Sequence, residues 1–191
     1  MRHKLSERGE DLYETPPEAT MSLLGLEADY MPTVIAEPAC GRGAISEILS
    51  ECGFSVDSSD LISRDYKSMR VADFLSNDYK EKWHTKKHEV GCITNPPYKH
   101  ADAFVKKAID IFDYTAMFLR LGFLEGLSRK KWLYDIRPPS RIYISSRRMP
   151  MMHRDGWDGK RSSSTTCFCW YVWDHHAPEP PHWFDWKDFV D

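Results

Sequence analysis

Thr33-Val34-Ile35-Ala36-Glu37-Pro38-Ala39-Cys40-Gly41-Arg42-Gly43 is the stretch on which the fold turns. Its first half is a short apolar run that Pro38 ends, as a buried strand requires. Its second half is a tight turn whose two glycines permit positive φ and close backbone approach to a ligand. Ala44 to Cys52 then show helical spacing, with Ile45, Ile48 and Leu49 on one face. Strand, glycine loop and helix make a nucleotide-type binding turn, and in open α/β sheets ligands bind beyond the carboxyl ends of the strands. The loop carries two glycines where dinucleotide sites carry three, and it lacks the Gly-Lys-Ser/Thr that holds a triphosphate. Glu37, at the strand end, suits a cationic amino group better than a phosphate.

Moving outward, Phe54 to Asp60 reads as a second strand closed by an acid, 17 residues after Gly43. A carboxylate there suits ribose hydroxyls, which donate hydrogen bonds. Asp73 and Phe74 could flank an adenine ring, the first as acceptor for its amino group and the second as an apolar face. Glu89 to Thr94 is another short strand, and it runs into Asn95-Pro96-Pro97-Tyr98. Consecutive prolines make this turn rigid. The amide oxygen of Asn95 and the backbone carbonyl of Pro96 can both accept from a planar amino group. Tyr98 can stack on the flat ring that bears it. Such a site works by placing a nucleophilic nitrogen in line with an electrophile. It needs no metal and no covalent nucleophile.

The remaining segments complete an alternating pattern. Tyr13-Glu14-Thr15-Pro16-Pro17 is a turn that starts a helix through Met21 and Leu24, with Thr15 as its cap. Residues 77–89 read as charged and solvated. Helices are expected over Ala101 to Phe112 and Leu127 to Ile136, and a strand over Thr115 to Leu121. Arg141 to Ser145 and Thr166 to Trp173 are late strands that pair as an antiparallel edge hairpin. The fold class is α/β, with a largely parallel sheet sandwiched by helices.

At 191 residues, 41% hydrophobic and 13% aromatic, the chain fits one domain with a sizeable core. The formal charge of −3 argues neither for nor against nucleic acid, since only a contact face must be basic. Five scattered cysteines do not form a disulfide framework, so reduced thiols in a cytoplasmic protein are expected. Met1 to Arg8 carry no signal-peptide core, and no apolar run approaches the ~20 residues that span a bilayer. No membrane association is expected.

These motifs, in this order, resemble the class I S-adenosylmethionine-dependent methyltransferases that methylate amino groups, specifically adenine-specific DNA methyltransferases. The resemblance runs from about Tyr13 to Trp173. Tyr13-Glu14-Thr15-Pro16 resembles the N-terminal cofactor motif. Glu37-Pro38-Ala39-Cys40-Gly41-Arg42-Gly43 resembles the main cofactor loop, Asp60-Leu61 the ribose-binding acid and Asp73-Phe74 the adenine contact. Asn95-Pro96-Pro97-Tyr98 resembles the catalytic motif, with Asn95 also beside the cofactor. The resemblance implies S-adenosyl-L-methionine as cofactor and a Rossmann-like, seven-stranded, mostly parallel sheet with an antiparallel last strand. It divides the chain into a flexible residues 1–12, a catalytic domain over residues 13–174 and an acidic aromatic tail over residues 175–191. It also implies N6-adenine in DNA as acceptor, in a bacterial or phage-infected cell. Sequence-specific members carry a separate target-recognition domain, and only 93 residues follow Tyr98. A short loop, a partner protein or low specificity must stand in for it. The oligomeric state stays open.

The stretch from Arg141 to Arg161 holds six Lys/Arg and two Asp, a local charge of +4. Arg147, Arg148, Arg154, Trp157, Lys160 and Arg161 are the candidate contacts to a phosphate backbone and an unstacked base. Asp174 to Asp191 is acidic, and its Trp183, Phe184, Trp186 and Phe189 are expected to pack on the domain. Cys167 and Cys169 with His175, His176 and His182 do not have zinc spacing, so no metal is expected. Three readings remain: methylation of DNA adenine, methylation of RNA adenine or a protein glutamine by the same cofactor, and a non-catalytic nucleic-acid-binding module.

Overall fold

The apolar strands assemble into one sheet with the order β3-β2-β1-β4-β5-β7-β6-β8. These are β1 (Val34–Glu37), β2 (Ser55–Asp60), β3 (Met69–Val71), β4 (Val90–Thr94), β5 (Tyr114–Arg120), β6 (Arg141–Ser145), β7 (Phe168–Trp173) and β8 (His182–Phe184). The description comes from a computed structural model and covers residues 13–83, 86, 88–150, 166–174, 182–184 and 186–190. Strands β1 to β5 pair in parallel, and β7 runs antiparallel between β5 and β6. The seven-stranded sheet with an antiparallel final strand is therefore as expected. Two details differ. β7 is the inner strand of the late hairpin, against β5, and β8, from the acidic tail, adds an eighth strand parallel to β6, so that the hairpin is not the edge.

Helices cover both faces. On one lie α1 (Pro17–Glu27) and α2 (Ala44–Glu51); Ala19, Leu23, Ile45 and Leu49 pack there against Ile93, Phe118 and Trp170. On the other lie α3 (Asn77–Trp83), α4 (Ala101–Ile111) and α5 (Leu127–Arg129, continuing as a π-turn through Tyr134). Tyr79, Trp83, Phe104, Val105, Ala108 and Leu133 pack there with Cys92, Met117 and Tyr171. The split follows the strand period of two: along β7, Cys169, Tyr171 and Trp173 face one layer, and Phe168, Trp170 and Val172 the other. Residues 77–83 correct the solvated reading. Tyr79 and Trp83, four apart, form a buried stripe under the charges.

Thr15 does not cap α1 as expected. Pro16 occupies the cap position and makes no side-chain cap bond, with Pro17 at the first helical position. The Thr15 side chain turns inward instead, to 4% exposure. At the far end of α1, Glu27 is fully buried. Its carboxylate accepts from Arg141 at 2.6 and 2.9 Å, from Tyr143 at 2.5 Å and from Tyr114 at 3.1 Å. That cluster sits where β5 and β6 begin, opposite the ends at which β1 and β4 stop. Among the described residues, no helix is long and apolar enough to cross a membrane.

Candidate active site

The chain leaves β1 toward β2 on one side and returns to β4 on the other, so the strand order reverses between β1 and β4. A crevice opens at such a switch point, beyond the carboxyl ends of the strands. β1 ends at Glu37 and β4 at Thr94, with Ala36 level with Cys92. The glycine loop and the Asn95 turn therefore meet at one cleft. Its walls are Glu37, Ala39 and Gly41 from the loop, Asp60 and Arg64 from the end of β2, Asn95 to Tyr98, and Tyr13 to Thr15. The enclosed part measures about 60 Å³. A larger ligand must extend outward past Asp60, and Leu61, next in the chain, is 63% exposed.

The loop owes its shape to its glycines. Gly41 and Gly43 have φ of 55° and 89°, the left-handed region that a side chain enters at a cost. Gly43 is also close to another group: a Cβ there would lie 2.6 Å from the Tyr66 ring. The loop is tied to β2 by Asp60, whose carboxylate accepts from the Gly41 N–H at 2.9 Å and the Ile62 N–H at 3.2 Å. A carboxylate has about four lone-pair sites, so acceptor capacity remains for a ligand's hydroxyls.

Glu37 is 1% exposed and accepts from the Ser46 hydroxyl, which also contacts Ser58 Oγ at 2.6 Å. Burial pushes its carboxyl up to about 8, against the Ser46 hydrogen bonds that favour the charged form, with a smaller push from Asp60. Glu37 is thus mostly protonated at neutral pH until a cation arrives. Cys40 is pushed up to about 12, first by burial and then by Glu37 and Asp60, so it is no thiolate nucleophile.

Asn95 has the most informative geometry. Its Nδ2 donates to the Tyr13 carbonyl and to Thr15 Oγ1, both at 3.1 Å. A backbone carbonyl can only accept, which fixes which end of the amide is nitrogen. Oδ1 is left buried with no hydrogen-bond partner among the described residues. Beside it the Tyr98 ring lies 5.4 Å from Tyr13 and 5.8 Å from Phe168, with the Arg120 guanidinium 4.3 Å from its centroid. No sequence motif marks Arg120. The signal was there, since it ends β5 on the side where ligands bind.

Several expected site residues stand back from the cleft. Pro16 caps α1, Pro38 is buried behind the loop and Gly43 caps α2. Phe74 requires a correction. It is 2% exposed and packs in the core, 4.7 Å from Phe104 and 4.9 Å from Tyr79, so its faces are taken. Asp73 is exposed and accepts from the Leu75 N–H at 2.8 Å, closing a local turn. Of the basic contacts, Arg147 and Arg148 are exposed after β6. Arg154, Trp157, Lys160 and Arg161 lie outside the described residues. Cys169 is buried in β7, while His175 and His176 also lie outside the described residues.

The fold is the Rossmann-like fold of class I methyltransferases. The chain is similar to a protein named as an RNA methyltransferase from Pyrococcus horikoshii, at 15% identity and TM-score 0.60 over 85% of this chain and 86% of that one. It is similar to a modification subunit named for a type I restriction enzyme of Vibrio vulnificus, at 13% identity and TM-score 0.62, covering 91% of this chain and 46% of that one. The chain thus spans under half of that subunit. Magnesium protoporphyrin IX methyltransferase of Synechocystis, with bound S-adenosylmethionine, aligns at 13% identity and TM-score 0.51 over 83% of this chain and 78% of that one. No family model and no curated protein matches the sequence.

Proposed function

We propose that the chain is an S-adenosylmethionine-dependent methyltransferase that acts on the N6 amino group of adenine in DNA. The observation that carries this reading is Asn95 Oδ1, a buried acceptor without a partner among the described residues, in the wall of the cleft that holds Glu37 and Asp60. A buried acceptor left unmade costs about 1–3 kcal/mol, so the site is built to receive a donor. An exocyclic amine is such a donor. The residues fit the cofactor too: Glu37 can ionise beside an ammonium, and Asp60 keeps lone pairs for ribose hydroxyls. When bound, the cofactor supplies an electrophilic methyl on a sulfonium.

The chain's own residues then do three things. Asn95 Oδ1 accepts one N–H of the target amine, with the Pro96 carbonyl as partner for the other. This fixes the direction of the nitrogen lone pair and favours electron density on the nitrogen. Tyr98, backed by Phe168 and Arg120, offers a rigid aromatic wall to the ring that bears the amine. With the methyl supplied by the cofactor, the amine would give up one proton to solvent after transfer. Orientation and alignment supply most of the rate.

RNA adenine is the second reading, favoured by likeness to the protein named as an RNA methyltransferase. The experiment is methyl transfer from labelled cofactor to DNA, RNA and protein, followed by digestion to nucleosides. N6-methyl-2′-deoxyadenosine from DNA is expected, and Asn95→Ala should lower the rate by ~100-fold or more while cofactor still binds in calorimetry. Label in RNA or protein alone would replace the acceptor, and full activity of Asn95→Ala would remove Asn95 from the chemistry.

A further inference from the structure

We propose that Thr15 is the positioning residue that aims Asn95 at its acceptor task, so that the turn before α1 is part of the catalytic apparatus. The inference rests on the reading of Asn95 given above. Three observations carry it. Thr15 is nearly fully buried and stands one residue before Pro16, the cap position of α1. Its Oγ1 lies 3.1 Å from Asn95 Nδ2, 80 residues away in sequence. The other Nδ2 bond goes to the Tyr13 carbonyl, also at 3.1 Å.

An amide NH2 has two hydrogens. One on Tyr13 and one on Thr15 use both, and two fixed directions lock the plane of the amide. One bond alone leaves the plane free to rock about the N–H···O axis. With both made, Oδ1 has a single orientation, facing away from the turn with its lone pairs unspent. Donation from both N–H groups also polarises the amide and makes Oδ1 a stronger acceptor. Tyr13 contributes through its backbone, which substitution cannot remove. Thr15 contributes through a side chain, and so holds the part of the device that a mutation can reach. The resemblance read in the sequence assigns this turn to the cofactor, whereas its hydrogen bonds go to the residue that faces the acceptor.

Thr15→Val keeps the shape and removes the acceptor, and Thr15→Ser restores it. With DNA as acceptor, Thr15→Val is expected to lower kcat about 10- to 100-fold, as a small misalignment does. The cofactor Kd in calorimetry should change less than about threefold, and Thr15→Ser should recover most of the rate. A structural or cofactor-binding role predicts the reverse, a weaker Kd with kcat unchanged, and would overturn the proposal. A second readout does not need turnover. In protein labelled with 15N-asparagine, the Asn95 side-chain protons should exchange slowly in the native chain and in Thr15→Ser, and faster in Thr15→Val. Equal exchange in all three would refute the positioning role even if the native enzyme proved inactive on DNA, a result that would count against the acceptor and not against Thr15.

Discussion

At the scale of single residues, the site is a set of polar groups held short of satisfaction. Among the described residues, Asn95 Oδ1 has no donor and Glu37 no counter-charge, and the proposed ligand would bring both. Glu37 gives a testable pH dependence. Its carboxyl rises from an ordinary 4.5 to about 8, so the folded state keeps a proton that the unfolded state has lost. Between those values stability falls as pH rises, because the folded chain binds more protons there. The native protein should therefore lose denaturant midpoint between pH 5 and pH 8, and Glu37→Gln should lose less, since its amide still accepts from Ser46 and never ionises. Parallel losses in the two proteins would mean that Glu37 is not the group responsible. The same shift links to the cofactor. An arriving ammonium favours the carboxylate, so binding near pH 7 should release a proton, visible as a buffer-dependent heat that Glu37→Gln abolishes.

At the scale of elements, what could be read in the sequence was what is local. β1, its glycine loop and α2 form a continuous stretch with its own periodicity and turn chemistry. The same holds for β4 and the Asn95 turn. Elements made by tertiary pairing were not legible. β3 has three residues, none buried, held by parallel pairing of Met69 with Ser58. β8 is equally short and exists through β6. In α3 the charges masked a stripe of two aromatics. Phe74 follows an acid in a loop, and whether its ring meets the cleft or the core depends on α3 and α4, which sequence spacing does not position. Thr15 looked like a cap because capping is local, while its partner is 80 residues away. The loop between β1 and α2 makes the element-scale prediction. Gly43→Ala meets both a left-handed φ and the Tyr66 ring. A cost of ~1–2 kcal/mol from the backbone alone is expected, together with weaker cofactor binding. Tyr66→Ala in the same chain removes the collision but not the φ strain, so it should recover part of the loss. Complete recovery would show that crowding, not backbone geometry, reserves this position for glycine, and no loss at all in Gly43→Ala would show that the loop tolerates a side chain.

At the scale of the whole molecule, the two ends of the sheet have different tasks. One end buries the Glu27–Arg141 pair with two tyrosines, fastening α1 to β5 and β6. The other holds the cleft, where α1 begins at the turn that grips Asn95. Helix α1 thus joins the buried Glu27 cluster to the cleft. The chain spans 46% of the restriction-type modification subunit it is similar to, so the further half of that protein has no counterpart in the aligned region. Under the proposed function, the chain's own surface offers one candidate contact to nucleic acid. The net charge is −3, but the stretch that follows β6 is basic, and Arg147 and Arg148 are exposed at its start. A phosphate contact releases counterions, so each one adds to the salt dependence of binding without reading sequence. If this stretch holds the backbone, Arg147→Ala and Arg148→Ala should each weaken DNA binding about equally on unrelated sequences. Each should also reduce the slope of log K against log salt by about 1. Fluorescence anisotropy from 50 to 200 mM salt on two unrelated duplexes measures both quantities. Losses confined to one duplex would make the arginines base-reading residues, and unchanged slopes would move the DNA contact off this stretch.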